Sequence, residues 1–323
     1  MNLPSGLENL NQVDARYLSL GTLLNADIDS PAAVAAGIAK PYAGFTGSVA
    51  QALRPYPQFA NINNYFQPTG WSTYHSLQVR TQKRYSNGAS FLIAYTLSKN
   101  FVWGGGYSGL GDDAANSRPL DTKNYGLEKR LSSFDQPHIF IFSGGYELPF
   151  GRGKAVLNGS SGLVNALVGG WMLNGIFRYA SGTPIGIGGG PNLPIFNGGN
   201  RPNRVPRMNP RTDVSGSDFD PNRDLYLNIA AFSQPAAFTF GNGAPNYGDI
   251  RTFALMNEDF SVLKDFQIIE GHRIQFRAEA FNVFNRVVFG SPGSNINAPA
   301  NFGRIGSQAN APRSIQLGLK YVF

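Results

Sequence analysis

Gln316-Leu317-Gly318-Leu319-Lys320-Tyr321-Val322-Phe323 is the stretch that decides the fold. Ile315, Leu317, Leu319, Tyr321 and Phe323 recur at every second position, which sets five apolar side chains on one face of a strand. A soluble protein rarely exposes such a strand at its end, because the free edge would recruit other chains. A closed membrane barrel has a use for it: the strand is zipped to a neighbour and its outer face meets lipid. An ordinary core strand in last position is the competing reading.

Six segments further upstream alternate in the same way. Leu77, Val79 and Thr81 oppose Gln78, Arg80 and Gln82, and Phe91, Ile93, Tyr95 and Leu97 oppose Ser90, Ala94, Thr96 and Ser98. Phe140, Phe142, Tyr146 and Leu148 share a face; Trp171, Leu173, Phe177 and Tyr179 oppose Asn174 and Arg178. Met256, Phe260 and Val262 oppose Asn257, Asp259 and Ser261. Ile274, Phe276, Ala278 and Ala280 oppose Arg273, Gln275, Arg277 and Glu279. Most of these runs reach about 9 to 11 residues, the length of a tilted strand crossing a bilayer.

The connections alternate in length. Tyr85-Ser86-Asn87-Gly88 is a tight Asn-Gly hairpin, and Ile269-Glu270-Gly271 is another short turn. The link from Pro149 to Gly169 is of medium length, whereas Asn100 to Ser133, Thr183 to Ile250 and Asn285 to Pro312 are long. Short turns at one end and long loops at the other are the signature of a transmembrane barrel, and not of a soluble sandwich or propeller. With Phe323 in the periplasm, Asn87 falls there too, and Asn197 and Asn301 fall outside the cell.

Composition agrees. The 323 residues are 42% hydrophobic and 13% aromatic, with only 15% charged, 39 Gly and 21 Pro. That mixture suits many strands joined by irregular loops around a lumen polar by amide and hydroxyl groups. No apolar run approaches the roughly 20 residues of a membrane-spanning helix. There are no cysteines, hence no disulfide, thiolate metal site or Cys nucleophile. The net charge of +7 is spread along the chain, with no basic run interleaved with aromatics. This argues against nucleic acid; an anionic outer leaflet such as lipopolysaccharide, or pairing with an acidic part missing from the chain, explains the charge at least as well.

Residues 1–70 read as a loop-rich segment with no strong strand, and 71–323 as the barrel strands. One short helix is expected in the first segment, with Ser30 as N-cap, Pro31 as first helical residue and an Ala-rich run to Lys40. Pro41 to Pro68 reads as surface loop. Met1 leads into no basic, apolar leader, so an exported chain of this kind is expected to lack its natural beginning. Seven strands are odd in number, whereas single-chain bacterial barrels are even, so the expectation is about seven to ten strands of a larger barrel.

Several segments, in order, resemble TonB-dependent receptors, in particular the Oar-like group. They are Pro41–Gly47 with Leu53–Gln58, Tyr95–Lys99, Ser133–His138, Glu147–Gly151, Gly169–Trp171, Phe276–Asn285 and the last strand. Gln316, Gly318, Tyr321 and Phe323 also resemble the C-terminal signal read by the barrel assembly machinery. The resemblance implies an outer-membrane barrel of about 22 strands around an N-terminal plug. It implies uptake of a scarce nutrient, a siderophore or oligosaccharide for example, energised by TonB through that plug. The plug, the TonB-contacting segment and the early strands have no counterpart here, so the chain matches a C-terminal part of the barrel.

The remaining motifs carry no chemistry. Gly104 to Gly109 fits GxGxxG, but no strand–helix context surrounds it. Gly151-Arg152-Gly153-Lys154 lacks the spacing of a P-loop. Asp218, Asp220, Asn222 and Asp224 begin like a calcium loop, but Arg223 and Ile229 occupy the Gly and Glu positions. His75, His138 and His272 lie on separate strands and set up neither a triad nor a metal site. No catalytic, metal or cofactor residue is assigned.

Arg178, Asp259, Arg273, Arg277 and Glu279 should point into the lumen, lining a substrate path or pairing across strands. Trp171, Tyr179, Tyr321 and Phe323 fit an aromatic girdle. The rivals to a transporter are a passive porin-like or adhesive barrel, and a soluble β-rich binding protein.

Overall fold

The computed structural model describes residues 2–5, 8–64, 67–103, 119–191, 193, 200–214 and 218–323. The GxGxxG stretch Gly104 to Gly109, and Asn197, lie outside them. Its centre is a nine-stranded antiparallel sheet. Eight strands follow in sequence order: β1 (Asn2–Ser5), β2 (Gln67–Ser86), β3 (Ala89–Trp103), β4 (His138–Glu147), β5 (Trp171–Ala180), β6 (Leu255–Ile269), β7 (His272–Phe281) and β8 (Ser314–Val322). The short strand Arg130–Leu131 adds to β3. The sheet is an open meander with β1 and β8 at its edges.

All seven alternating segments are strands, and their registers align the alternation across the sheet. Leu97 meets Leu77 and His138, Phe142 meets Ile93 and Phe177, Val262 meets Leu173 and Ala278, and Phe276 meets Leu319. One face is therefore largely apolar, with Glu258 and Lys264 of β6 set into it. It stays open: Leu317 is 67% and Leu319 74% exposed. Water-soluble monomers rarely leave such an apolar area uncovered, and it marks a surface that meets lipid or protein. Gly144 and Gly175 face each other on this surface, and the stacked rings of Phe142 and Phe177, 5.1 Å apart, close over them. A Cβ at Gly144 would come within 2.8 Å of the Phe142 ring.

The turns separate cleanly by end. The hairpin at Asn87-Gly88, the link from Leu148 to Gly170 and the turn at Glu270-Gly271 lie at one end, where Ser86 pairs Ala89 and Ile269 pairs His272. Asn87 and Gly88 both take the left-handed backbone an Asn-Gly hairpin requires (φ 53° and 78°). The described residues of the connections 8–64, 119–137, 181–254 and 282–313 follow strand ends at the other end.

Three expectations fail in the first segment. A strand, β1, exists there and pairs with β2, which itself starts at Gln67; four residues are too few to show a period. Helix α1 (Pro31–Ala35) has the expected cap, with Ser30 Oγ accepting from Ala33 N at 3.3 Å, but it stops well before Lys40. Gly37 takes a left-handed conformation (φ 68°), and Ile38 N donates to Ala33 O, so the chain turns off the helix there.

Pro41 to Pro68 is likewise not simple surface loop. Phe45, Val49 and Ala50 are buried, the last two on helix α2 (Val49–Ala52), and pack with Val13, Leu24, Ile28, Ala33 and Leu193. A second core joins Ile185, Ile187, Phe219, Tyr226, Leu227, Phe232, Tyr247 and Ile250 to Phe302 and Ile305. Both cores consist of residues from the long connections. The sheet keeps its hydrocarbon outside while the loops at one end fold into a body of their own.

Candidate functional site

The loop body is held together by contacts between different connections. Glu128, 1% exposed, accepts from Leu120 N at 2.8 Å and from the Arg201 guanidinium, which also donates to Leu127 O at 2.9 Å. Burial pulls the Arg201 guanidinium below its usual value, and the Glu128 charge opposes that pull. Arg251 Nη2 donates to Asp135 Oδ2 at 2.6 Å, and its Nη1 reaches Asp135 O and Gly182 O. Gln12 Oε1 accepts from Thr122 N and Oγ1, and Lys123 pairs with Asp14 at 2.7 Å. Tyr226 N donates to Gly303 O, and Gln234 to Asn297. Each of the four connections is thus tied to at least one other. Of these residues, only Asp135 sat in a stretch singled out by sequence reasoning. Nothing in the sequence marks Glu128, Arg201 or Arg251, because their partners lie far away along the chain.

The body presents aromatics on a fixed support. Asn11 Nδ2 donates to Tyr56 O and Phe59 O at 2.9 and 2.7 Å, and its Oδ1 accepts from Tyr56 N. Gln51 Nε2 adds a bond to Phe59 O at 2.7 Å. This clamps the Pro-rich turn while leaving Tyr56 and Phe59 half exposed. Such rings bury large area against a ligand at little loss of conformational freedom.

The opposite, polar face of the sheet carries the five residues expected in the lumen. Arg178, Asp259, Arg273, Arg277 and Glu279 all lie on it by register. They do not converge on one point. Arg277 Nη1 lies 3.6 Å from Glu279 Oε1 on the same strand, and Arg273 lies 3.8 Å from Asp265 across strands. Asp259 accepts from Asn257 Nδ2 and Asn282 N at 3.0 and 2.9 Å. Arg178 makes no ion pair among the described residues. Asp259 and Glu279 share a hollow of about 90 Å³ with Asn174 and Ser261, and a larger one of about 560 Å³ lies over Gln82, Ser90, Ser143 and Asn174.

In β8, Gln316 and Gly318 lie on the polar face, opposite Glu279 and Arg277, while Tyr321 and Phe323 lie on the apolar one. Tyr321 stacks on His272, whose Nδ1 is 2.6 Å from the phenol oxygen. His138 is matched with Tyr95 in the same way at the long-loop end, 2.8 Å apart. Trp171 belongs to the short-turn end and Tyr179 to the long-loop end of the apolar face. The acidic loop from Asp218 holds itself: Asp220 Oδ1 accepts from Asn222, and Asp224 pairs with Arg223. No group of His, Asp and Glu that could hold a metal occurs among the described residues.

A strand set with bare hydrocarbon on one face, polar groups on the other and loops segregated by end defines a transmembrane β-barrel protein. A family model described as an outer membrane beta barrel domain matches residues 5–316, and the chain belongs to that family. It is a protein of the outer membrane. No curated protein matches the chain. The family is generally without enzymatic activity.

Proposed function

We propose that this chain is the C-terminal barrel part of an Oar-like, TonB-dependent receptor, without bond chemistry of its own. In that reading the loop body captures a scarce nutrient outside the cell, and the polar face lines its path through the barrel. That reading requires a plug domain to couple the barrel to TonB. The observation that carries the reading is the loop body itself. Four connections, folded around two cores and cross-tied by buried ion pairs, form a rigid recognition surface rather than simple reversals of the chain. Tyr56 and Phe59 are the first contacts expected of a ligand. In this reading Gln316, Gly318, Tyr321 and Phe323 are read by the barrel assembly machinery.

The same surface would serve an adhesive barrel, and the polar face a passive porin-like one. The full-length gene, expressed in a host stripped of its own receptors, separates the three. Uptake of a labelled siderophore or oligosaccharide pool that stops when TonB is deleted supports the receptor. Flux independent of TonB supports a porin, and surface binding without uptake an adhesin. A tag at Asn301 should be reachable on intact cells and one at Asn87 should not; the reverse overturns the orientation.

A further inference from the structure

The link between β4 and β5 carries a helix whose apolar side meets no protein. Helix α3 (Gly162–Val168) is capped by Ser161, and none of its residues is buried. Leu163 is 83% and Leu167 72% exposed, and their spacing sets them on one side with Val164 beside them. Asn165 points the other way, its Oδ1 accepting from Arg152 N at 2.6 Å. Phe150, Val156 and Leu157 of the same link are also half exposed. A helix this short is marginal in water and gains stability only by burying such a face.

What the face meets follows from where the helix is fastened. Trp171 lies on the lipid-facing surface of β5, opposite Lys264, and its Nε1 donates to Leu167 O at 2.8 Å. Lys264 Nζ, 5.6 Å from the Trp171 ring, donates to Gly169 O. The end of α3 is thus pinned to the outer side of the barrel wall at its short-turn end. Its leucines extend the surface that already faces hydrocarbon. Arg152 stands exposed in the adjoining turn, where a layer of phosphates would favour it, while Lys154 beside it pairs with Glu147 at 2.6 Å.

We propose that α3 is an interfacial lipid anchor. Leu163, Val164 and Leu167 enter the phospholipid leaflet at the short-turn end, with Arg152 against its phosphates, and fix the depth of the wall at β4 and β5. The anchor rests on the barrel class alone and stands whether or not the protein transports anything.

The absence of cysteine makes the test direct. Leu163→Cys and Leu167→Cys variants of the full chain, with Glu270→Cys in the β6–β7 turn as reference, are labelled with an environment-sensitive fluorophore. They are then refolded into phosphatidylethanolamine–phosphatidylglycerol vesicles, and folding is checked by the heat-dependent gel shift. Labels at 163 and 167 should be quenched roughly threefold more by shallow spin-labelled lipid than the label at 270. Aqueous iodide should show the opposite order. Iodide quenching at 163 and 167 equal to that at 270 would place the helix in water. Protection from both quenchers would mean that protein covers it. Either result overturns the anchor.

Discussion

Arg251→Met should release the long-loop body while leaving the barrel wall intact. The Asp135 carboxylate has no exposed side-chain surface, and Arg251 supplies its counter-charge at 2.6 Å. With Arg251 gone, the Asp135 carboxylate keeps the bond from Asn100 N at 2.7 Å but loses its counter-charge, and the Asp135 and Gly182 carbonyls lose a donor. Breaking one side of a buried pair costs about 3–5 kcal/mol, because the other charge stays behind unpaired. Arg251 is itself 18% exposed, so water can reach the vacancy, and we expect about 3 kcal/mol. That raises the opened fraction of the loops roughly 150-fold. Limited proteolysis of the vesicle-embedded chain reads this fraction when reclosure outpaces cleavage, with cuts expected in connections 104–137 and 181–254. Adding Asp135→Asn to the Met variant should recover much of the loss, since the uncompensated charge is removed. Cleavage of the single variant within about threefold of the parent would show that the pair does not fasten the loops.

Three further outcomes follow from the same geometry. Leu227→Ala, at a fully buried position, should cost about 2–5 kcal/mol and lower the thermal midpoint of the loop body, read by near-ultraviolet circular dichroism, without loss of strand signal. Leu317→Arg on the lipid face should cost about 2–4 kcal/mol in urea-dependent folding into vesicles, whereas Gln316→Arg on the polar face should change little; equal losses would reverse the two faces. The hydrogen bond from Lys123 holds the Asp14 carboxyl below its usual value. Its contribution is therefore complete above the unfolded carboxylate pKa and fades as pH falls through the folded one, so the protection of the Thr122 amide relative to its intrinsic exchange rate should fall below about pH 4 and stay constant from pH 6 to 8.

The wall of this protein is legible in its sequence because a strand with lipid on one side and polar groups on the other repeats every two residues. Phe91-Ile93-Tyr95-Leu97 and Ile315-Leu317-Leu319-Tyr321 show that period locally, with no knowledge of their neighbours. The same local rule gives the faces of Arg178, Asp259, Arg273, Arg277 and Glu279. It fails for β1, where four residues are too few to show a period and pairing with Gln67–Trp71 makes the strand. It also runs too far at α1, where Gly37 stops the helix that Ala-rich propensity would continue.

The loop body is illegible for a physical reason. Phe45, Leu193, Phe219, Leu227 and Phe302 are buried by contacts with residues far away in sequence, on segments with neither a 2.0 nor a 3.6 period. Their Gly-, Pro- and Asn-rich surroundings look like solvated loop because such residues shape irregular backbone whether or not it is packed. Composition reports the backbone and says nothing of the core. The distinction decides function in a barrel. A bare loop leaves the pore mouth to the lumen's own polarity, while a packed one holds side chains such as Tyr56 and Phe59 in place before any ligand arrives, which removes most of the ordering loss on binding. In the proposed receptor, Asn11 and Gln51 are where that preorganisation is maintained, so weakening them should reduce ligand affinity.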